Sequence, residues 1–205
     1  VRVASGSTER LRAALAELPF GSRVSELAAA AYADGATFGS GFKSLLAALL
    51  GDSGVLLMDP LVPAIRRLAA PLVGRAIQSA PKLTAGLLAR SRQLESDGYH
   101  AQVHVEEHSS LFFLLEGGRR TALHRTGDVY ATDGERYSSA ELLARLERSP
   151  EEFSPNVLLR PVVQDYLLPT VAYIGGPAEL AYLAQSEVLY RTLLGRMPVA
   201  LSRAG

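Results

Sequence analysis

Leu11, Leu15 and Leu18 recur at intervals of four and three, which predicts an amphipathic helix over residues 8–18, capped by Ser7 or Thr8 and stopped before Pro19. An Ala-rich stretch, 24–33, predicts a second helix, and 37–50 a third with Phe38, Phe42, Leu45, Leu46 and Leu49 along one face. Residues 55–58 are wholly apolar and bounded by Gly54 and by Asp59-Pro60, the pattern of a short strand buried on both faces of a parallel sheet. Helices are expected from about 63 to 96, punctuated by Pro71 and Pro81. At Gly98 the pattern changes. Residues 100–105 alternate as a strand would, and 110–115 and 119–125 predict a hairpin joined through Gly117-Gly118. Ser138 and Glu141 form a capping-box pair at the start of a helix running to about Arg148.

From Phe153 a second kind of pattern sets in. Residues 170–174 are β-rich, Gly175-Gly176-Pro177 makes a tight turn, 178–194 is helical, and 197–201 reads as another strand. Strand, turn, helix and strand in that order make a βαβ unit, which requires parallel pairing. The fold expected is α/β: a partial Rossmann-like parallel-sheet core over 1–97 and 151–205, interrupted by a small α+β connecting insertion at 98–150.

Composition narrows the function classes. With 48% hydrophobic and 20% charged residues the chain is of ordinary globular type. Lys plus Arg and Asp plus Glu number 21 each, so no basic footprint for nucleic acid or anionic lipid is present. Cysteine is absent, which removes disulfides and thiolate chemistry and suits a reducing, cytoplasmic setting. The most apolar region, 45–70, is broken by Asp52, Asp59, Pro60 and Pro63, so no membrane span is expected. The first 18 residues lack a signal peptide's apolar core. The missing initiator Met and the end at Gly205, just after a strand, are the marks expected of a truncated chain.

Candidate chemistry gathers in the last third. Ligands of open parallel sheets sit beyond the carboxyl ends of strands, and Gly175-Gly176-Pro177 lies at one. Glycines admit close approach, Pro177 suits the first helical position, and unpaired helix amides attract an anion. The same residues also fit a plain strand-to-helix turn in which Glu179 complements the helix dipole. Asn156, Arg160 and Gln164 recur every four residues, beside Asp165, and would share one helical face able to orient a carboxylate or phosphate. Alternatively Arg160 pairs with Asp165 and the amides tie down loops. Glu179, Tyr182 and Gln185, three apart on the last helix, face either a cleft or solvent. Asp59 is a further candidate, though Asp-Pro after a strand is usually a turn. His100, His104 and His108 are four apart, but the alternation around them reads as a strand that would spread them along one face, and no HExxH pattern occurs, so no metal site is expected; no G-x-S-x-G elbow occurs either. The pairs Arg66-Arg67 and Arg119-Arg120 read as solvated.

The stretch Phe153-Ser154-Pro155-Asn156-Val157-Leu158-Leu159-Arg160-Pro161, with Gln164-Asp165, Leu168-Pro169-Thr170, Ala172-Tyr173-Ile174-Gly175-Gly176-Pro177 and Glu179-Leu180-Ala181-Tyr182, closely resembles the bacillithiol-biosynthesis cysteine-adding enzymes, the BshC family. Leu57-Met58-Asp59-Pro60, Gly98-Tyr99-His100-Ala101-Gln102-Val103 and Met197-Pro198-Val199 match the same family in the same order. The resemblance implies a Rossmann-like core with inserted segments, akin to nucleotidyl-transferases and class I synthetases, and a C-terminal coiled coil that makes a homodimer. It implies a ligase joining cysteine to glucosaminyl-malate through an amide, with a nucleotide (ATP or ADP) as the energy currency. It also implies a binding role for Asn156, Arg160, Gln164, Asp165, Tyr173, Gly175, Gly176, Glu179, Tyr182 and Gln185. The family's Gln/Gly-rich and acidic-histidine motifs would fall before Val1, and its coiled coil after Gly205, so this chain alone is expected to be inactive. Its Pro-Arg-x-Ser ending reads here Ser202-Arg203-Ala204-Gly205, and no role is carried over to Arg203. The rival readings are a non-catalytic nucleotide- or sugar-acid-binding module and a purely structural dimer subunit.

Overall fold

The computed structural model describes residues 2–204. The chain divides into two compact units that part between Asp59 and Pro60. In the first, α1 (Ser7–Leu15), α2 (Gly21–Ala31) and α3 (Phe38–Leu50) pack in series. The first helix ends three residues earlier than its leucine spacing predicts, because the chain turns there: Gly21 N donates to the Leu18 carbonyl at 2.9 Å. A Cβ on Gly21 would lie 1.8 Å from the Leu15 carbonyl oxygen, so only glycine closes this turn. Thr37 caps α3 in a reciprocal pair with Ser40. Gly41 lets the Tyr32 ring press against α3, while Phe38, Phe42 and Leu49 of the expected apolar face stay exposed.

Residues 55–58 form no strand. Leu56 is 71% exposed. An apolar run has the composition of a doubly covered strand, but the strand state needs a neighbour's amides and carbonyls alongside. Among the described residues none pairs with it.

The second unit opens with α4 (Pro63–Gln78) and α5 (Ala80–Ser96), with Pro63 and Pro81 in first turns where no amide is required. A five-stranded antiparallel sheet follows, in the order β4-β3-β2-β1-β5: β1 (Ser109–Glu116), β2 (Arg119–Thr126), β3 (Val129–Ala131), β4 (Arg136–Ser138) and β5 (Phe153–Pro155). The expected hairpin closes through Gly117 and Gly118, both at positive φ (54° and 77°), the backbone that a two-residue turn of this hand demands. Helix α6 (Ser139–Arg148) carries the expected capping box: Glu141 N donates to Ser138 Oγ at 3.2 Å, and Ser138 N to Glu141 Oε2 at 2.7 Å.

After β5 come α7 (Arg160–Leu167), β6 (Ala172–Gly175), α8 (Pro177–Leu194) and β7 (Val199–Ser202). β6 and β7 pair in parallel, Ala172 opposite Val199 through Gly175 opposite Ser202, which makes the expected βαβ unit. Two cores share α4. One holds Leu72, Leu83, Leu159, Val162, Leu183 and Tyr190 among α4, α5, α7 and α8. The other holds Val73, Ile77, Phe112, Leu114, Tyr130 and Leu142 between α4, α6 and the sheet.

That shared helix ties residues 98–150 to the rest of the second unit. β5, beyond the expected boundary, pairs with β1, and α4 seals both cores. Residues 100–105 lie outside any strand despite their alternation, since Gln185 rather than a strand supplies the partners of Val103. Arg66, expected in solvent, is 8% exposed. It donates to the carbonyls of Pro60 and Phe153, tying the start of α4 to β5.

Candidate functional site

The carboxyl ends of β6 and β7 converge on the diglycine bend. Arg203, directly after β7, donates its backbone N–H to the Gly175 carbonyl at 2.9 Å. Gly176 has ordinary extended backbone (φ −74°, ψ 172°), so its glycine identity serves close approach rather than a left-handed turn. A Cβ there would stand 3.0 Å from Arg203 Nη2. Glu179, one turn into α8, folds back so that its Oε2 accepts from Gly176 N at 2.9 Å. Tyr173 donates from its hydroxyl to Glu179 Oε1 at 3.4 Å and lies 3.3 Å from the Tyr182 hydroxyl. Burial pushes the Tyr173 phenol well above its ordinary pKa, and the Tyr182 hydrogen bond and the Glu179 charge add to the rise. Tyr173 therefore stays a proton donor through the neutral range.

The bend thus joins five of the sequence-predicted residues: Tyr173, Gly175, Gly176, Glu179 and Tyr182. In this state the seat expected for an outside anion is taken by the chain's own Glu179 carboxylate. Arg203 is the residue that sequence reasoning passed over. Its signal was positional, a cation immediately beyond the strand that pairs with the glycine-bearing one.

The α7 stretch is arranged differently. Asn156 is not on the helix face but caps the turn that leads into it: its Oδ1 accepts from Leu158 N and Leu159 N, both at 3.0 Å. Its Nδ2 donates to the Ser110 carbonyl at 3.2 Å. Asp165 is 1% exposed and accepts from Thr170 N at 2.6 Å. Arg196 Nη1 lies 2.9 Å from its Oδ2 and 3.2 Å from its Oδ1, so Arg196, not Arg160, is the ion-pair partner. Arg160 and Gln164 occupy the exposed side of α7, one turn apart. No hydrogen bond or ion pair among the described residues joins Arg160 to the bend.

Gln185 is fully buried and faces α5 and the loop after it. Its Oε1 accepts from Val103 N at 2.8 Å, and its Nε2 donates to the Val103 carbonyl at 2.9 Å and to Ser91 Oγ at 3.0 Å. The half-buried Asn156 and the buried Asp165 and Gln185 therefore hold the chain in place through paired polar groups. His104 and His108 both pair with Glu106, at 3.1 and 2.7 Å. Among the described residues no group of three or more His, Cys, Asp or Glu side chains is arranged to hold a metal ion. Among them too, no helix is long and apolar enough to cross a membrane.

The family model described as "Bacillithiol biosynthesis BshC, N-terminal Rossmann-like domain" matches residues 3–204. The chain belongs to the BshC family. It is similar to the protein named "Putative cysteine ligase BshC" of Solibacter usitatus, 52% identical over 205 residues, which is 100% of this chain and 38% of that protein. The protein of the same name in Koribacter versatilis is 46% identical over 172 residues, 84% of this chain and 32% of its own length. The one in Salinibacter ruber is 37% identical over 198 residues, 96% of this chain and 36% of the relative. The chain thus spans a little over a third of the BshC relatives it matches most extensively. The likeness read from residues 153–182 is a likeness to this family, and its Rossmann-like domain agrees with the parallel β6-α8-β7 unit. A Rossmann-like domain is an architecture suited to nucleotides.

Proposed function

We propose that this chain forms one wall of the ligand site in a cysteine ligase that joins cysteine to glucosaminyl-malate, the last step of bacillithiol synthesis. The enzyme would be cytoplasmic, and it would dimerise through a coiled coil outside these residues. The observation that carries the reading is the convergence of the Gly176 amide, Glu179, Tyr173, Tyr182 and Arg203 at the carboxyl end of paired parallel strands, in a chain of the BshC family.

Amide formation needs a carboxylate made reactive toward an amine: a C–N bond forms, an activated C–O bond breaks, and the amine loses a proton. A bound ATP would supply that activation. The chain's own residues bind and orient. Arg203 and the first amides of α8 attract an anionic group, and Tyr173 donates a hydrogen bond beside them. Glu179 occupies the cradle until such a group arrives, then yields the Gly176 amide to it. An exposed guanidinium suits this work, because it offers several donors in a fixed fork and disturbs no core when replaced.

The test is bacillithiol production in a deletion strain complemented by full-length protein carrying Arg203→Met. Losing charge-assisted hydrogen bonds of about 1.5–3 kcal/mol lowers output roughly tenfold or more. The melting temperature stays unchanged, since Arg203 is exposed. Normal thiol levels would refute the assignment.

A further inference from the structure

The parallel pair β6 and β7 leaves one side of its sheet bare. Ala172 lies opposite Val199 and Ile174 opposite Leu201, and side chains alternate along each strand, so these residues share a face. Tyr173, between them in sequence, turns the other way, to the Tyr182 hydroxyl of α8 at 3.3 Å. On the bare side Ile174 is 65% exposed, Val199 60% and Leu201 46%. We propose that this face is an internal docking surface, covered by an amphipathic helix from the part of the BshC polypeptide that lies outside residues 1–205.

The residues on the face ask for a cover. A sheet side that meets water carries polar residues at alternate positions, whereas parallel sheets are covered on both sides. Here Ala172, Ile174, Val199 and Leu201 are all apolar, and α8 lies on the other side. Among the described residues β6 and β7 pair only with each other. Two strands hold together in water only when further structure packs against them. The layer that fits an apolar parallel face is a helix with an aliphatic stripe, as in other α/β architectures.

The size of the face selects the occupant. A stable interface between separate molecules takes roughly 20–30 residues a side. The short face of β6 and β7 falls far below that, so a second copy docking here gains too little to offset its lost freedom. A helix of the same polypeptide meets no such barrier, because the linkage keeps it at high effective concentration. The relatives have chain to spare: the matched residues make up 38% of the Solibacter usitatus protein and 36% of the Salinibacter ruber one. Ile174 adjoins Gly175, and Leu201 stands two residues before Arg203, so the helix passes beside the bend. The docking needs no ligase chemistry, and it stands or falls apart from the outcome of Arg203→Met.

The test uses full-length protein carrying Ile174→Cys or Leu201→Cys, with alkylation of each thiol followed by peptide mass. Both are expected to react at least tenfold more slowly than Asp133→Cys, which stands on an exposed bend, and equally slowly at every protein concentration. Rates equal to that of Asp133→Cys overturn the proposal, and so does protection that fades on dilution, the mark of a second copy. What lies on the face is read with the photoprobe p-benzoylphenylalanine in place of Ile174 or of Leu201, in whichever variant keeps the natural melting temperature. Illumination is expected to join the probe to a peptide outside residues 1–205 of the same polypeptide. A product of twice the mass, or a link confined to residues 1–205, overturns the proposal. Should both photoprobe variants unfold, the thiol rates and their dependence on concentration decide it.

Discussion

Asp165 and Arg196 form an unequal pair: the carboxylate is 1% exposed and the guanidinium 47%. Removing either one does not cost the same. Arg196→Met leaves a buried charge with only the Thr170 amide to answer it, whereas Asp165→Asn leaves an arginine that water can reach. The first is expected to destabilise by about 3 kcal/mol. The second costs about 1 kcal/mol, since the amide oxygen of Asn still accepts from Thr170. Urea unfolding of the two variants checks the order, and equal losses would place the ion pair outside the energetics of this loop. The pairing also shows where single residues escape a linear reading. Arg160 and Asp165 are five apart in sequence, and Arg196 is 31 away, yet distance along the chain has no bearing on which cation a buried carboxylate meets. Arg203 escaped for a related reason: its value comes from β7 lying beside β6.

Helices α5 and α8 touch where Gly86 faces Val188, and a Cβ on Gly86 would come 2.6 Å from Val188 Cγ1. Alanine normally improves a helix interior by about 1 kcal/mol over glycine. Here the stiff, β-branched neighbour reverses the sign, because overpacking costs roughly 1–3 kcal/mol. Gly86→Ala should therefore lower the melting temperature in the natural background and raise it relative to Val188→Ala when made in that variant. The start of α6 provides a pH test. Backbone and side-chain hydrogen bonds from Ser138 hold the Glu141 pKa below its ordinary 4.5. A carboxyl depressed by folding stabilises the folded state fully above its unfolded value and loses that contribution as the pH falls through the folded one. Amides of α6 are thus expected to exchange faster relative to those of α5 as pH drops below 4.5, after correction for intrinsic rates. Glu141→Gln removes this pH dependence. This capping box was readable because all its partners lie within four residues, as was the hairpin at Gly117-Gly118. The strand at 55–58 was misread because its pattern states only that the segment is apolar, and a ladder needs a partner that no local pattern supplies.

The two compact units differ in how much they bury. Among the described residues of the first, Val3 and Ala28 are the buried apolar side chains, whereas the second encloses Leu72, Leu83, Leu114, Leu159 and Tyr190 at 0% exposure. Apolar burial is the dominant stabilising term, so opening should be easiest where least is buried. Hydrogen exchange at neutral pH is expected to be fastest in α1, α2 and α3 and slowest in α4, α5 and α8. Uniform protection across the chain would contradict this. The amino-acid order alone determined the helices, the hairpin, the βαβ unit, the family and five residues of the bend, because each rests on periodicity, turn chemistry or a contiguous motif. Only the folded chain decided that Asn156, Asp165 and Gln185 turn inward, that Arg66 is buried, and that Arg203 meets Gly176. Those outcomes depend on which distant backbone groups need a partner, and packing in three dimensions settles that.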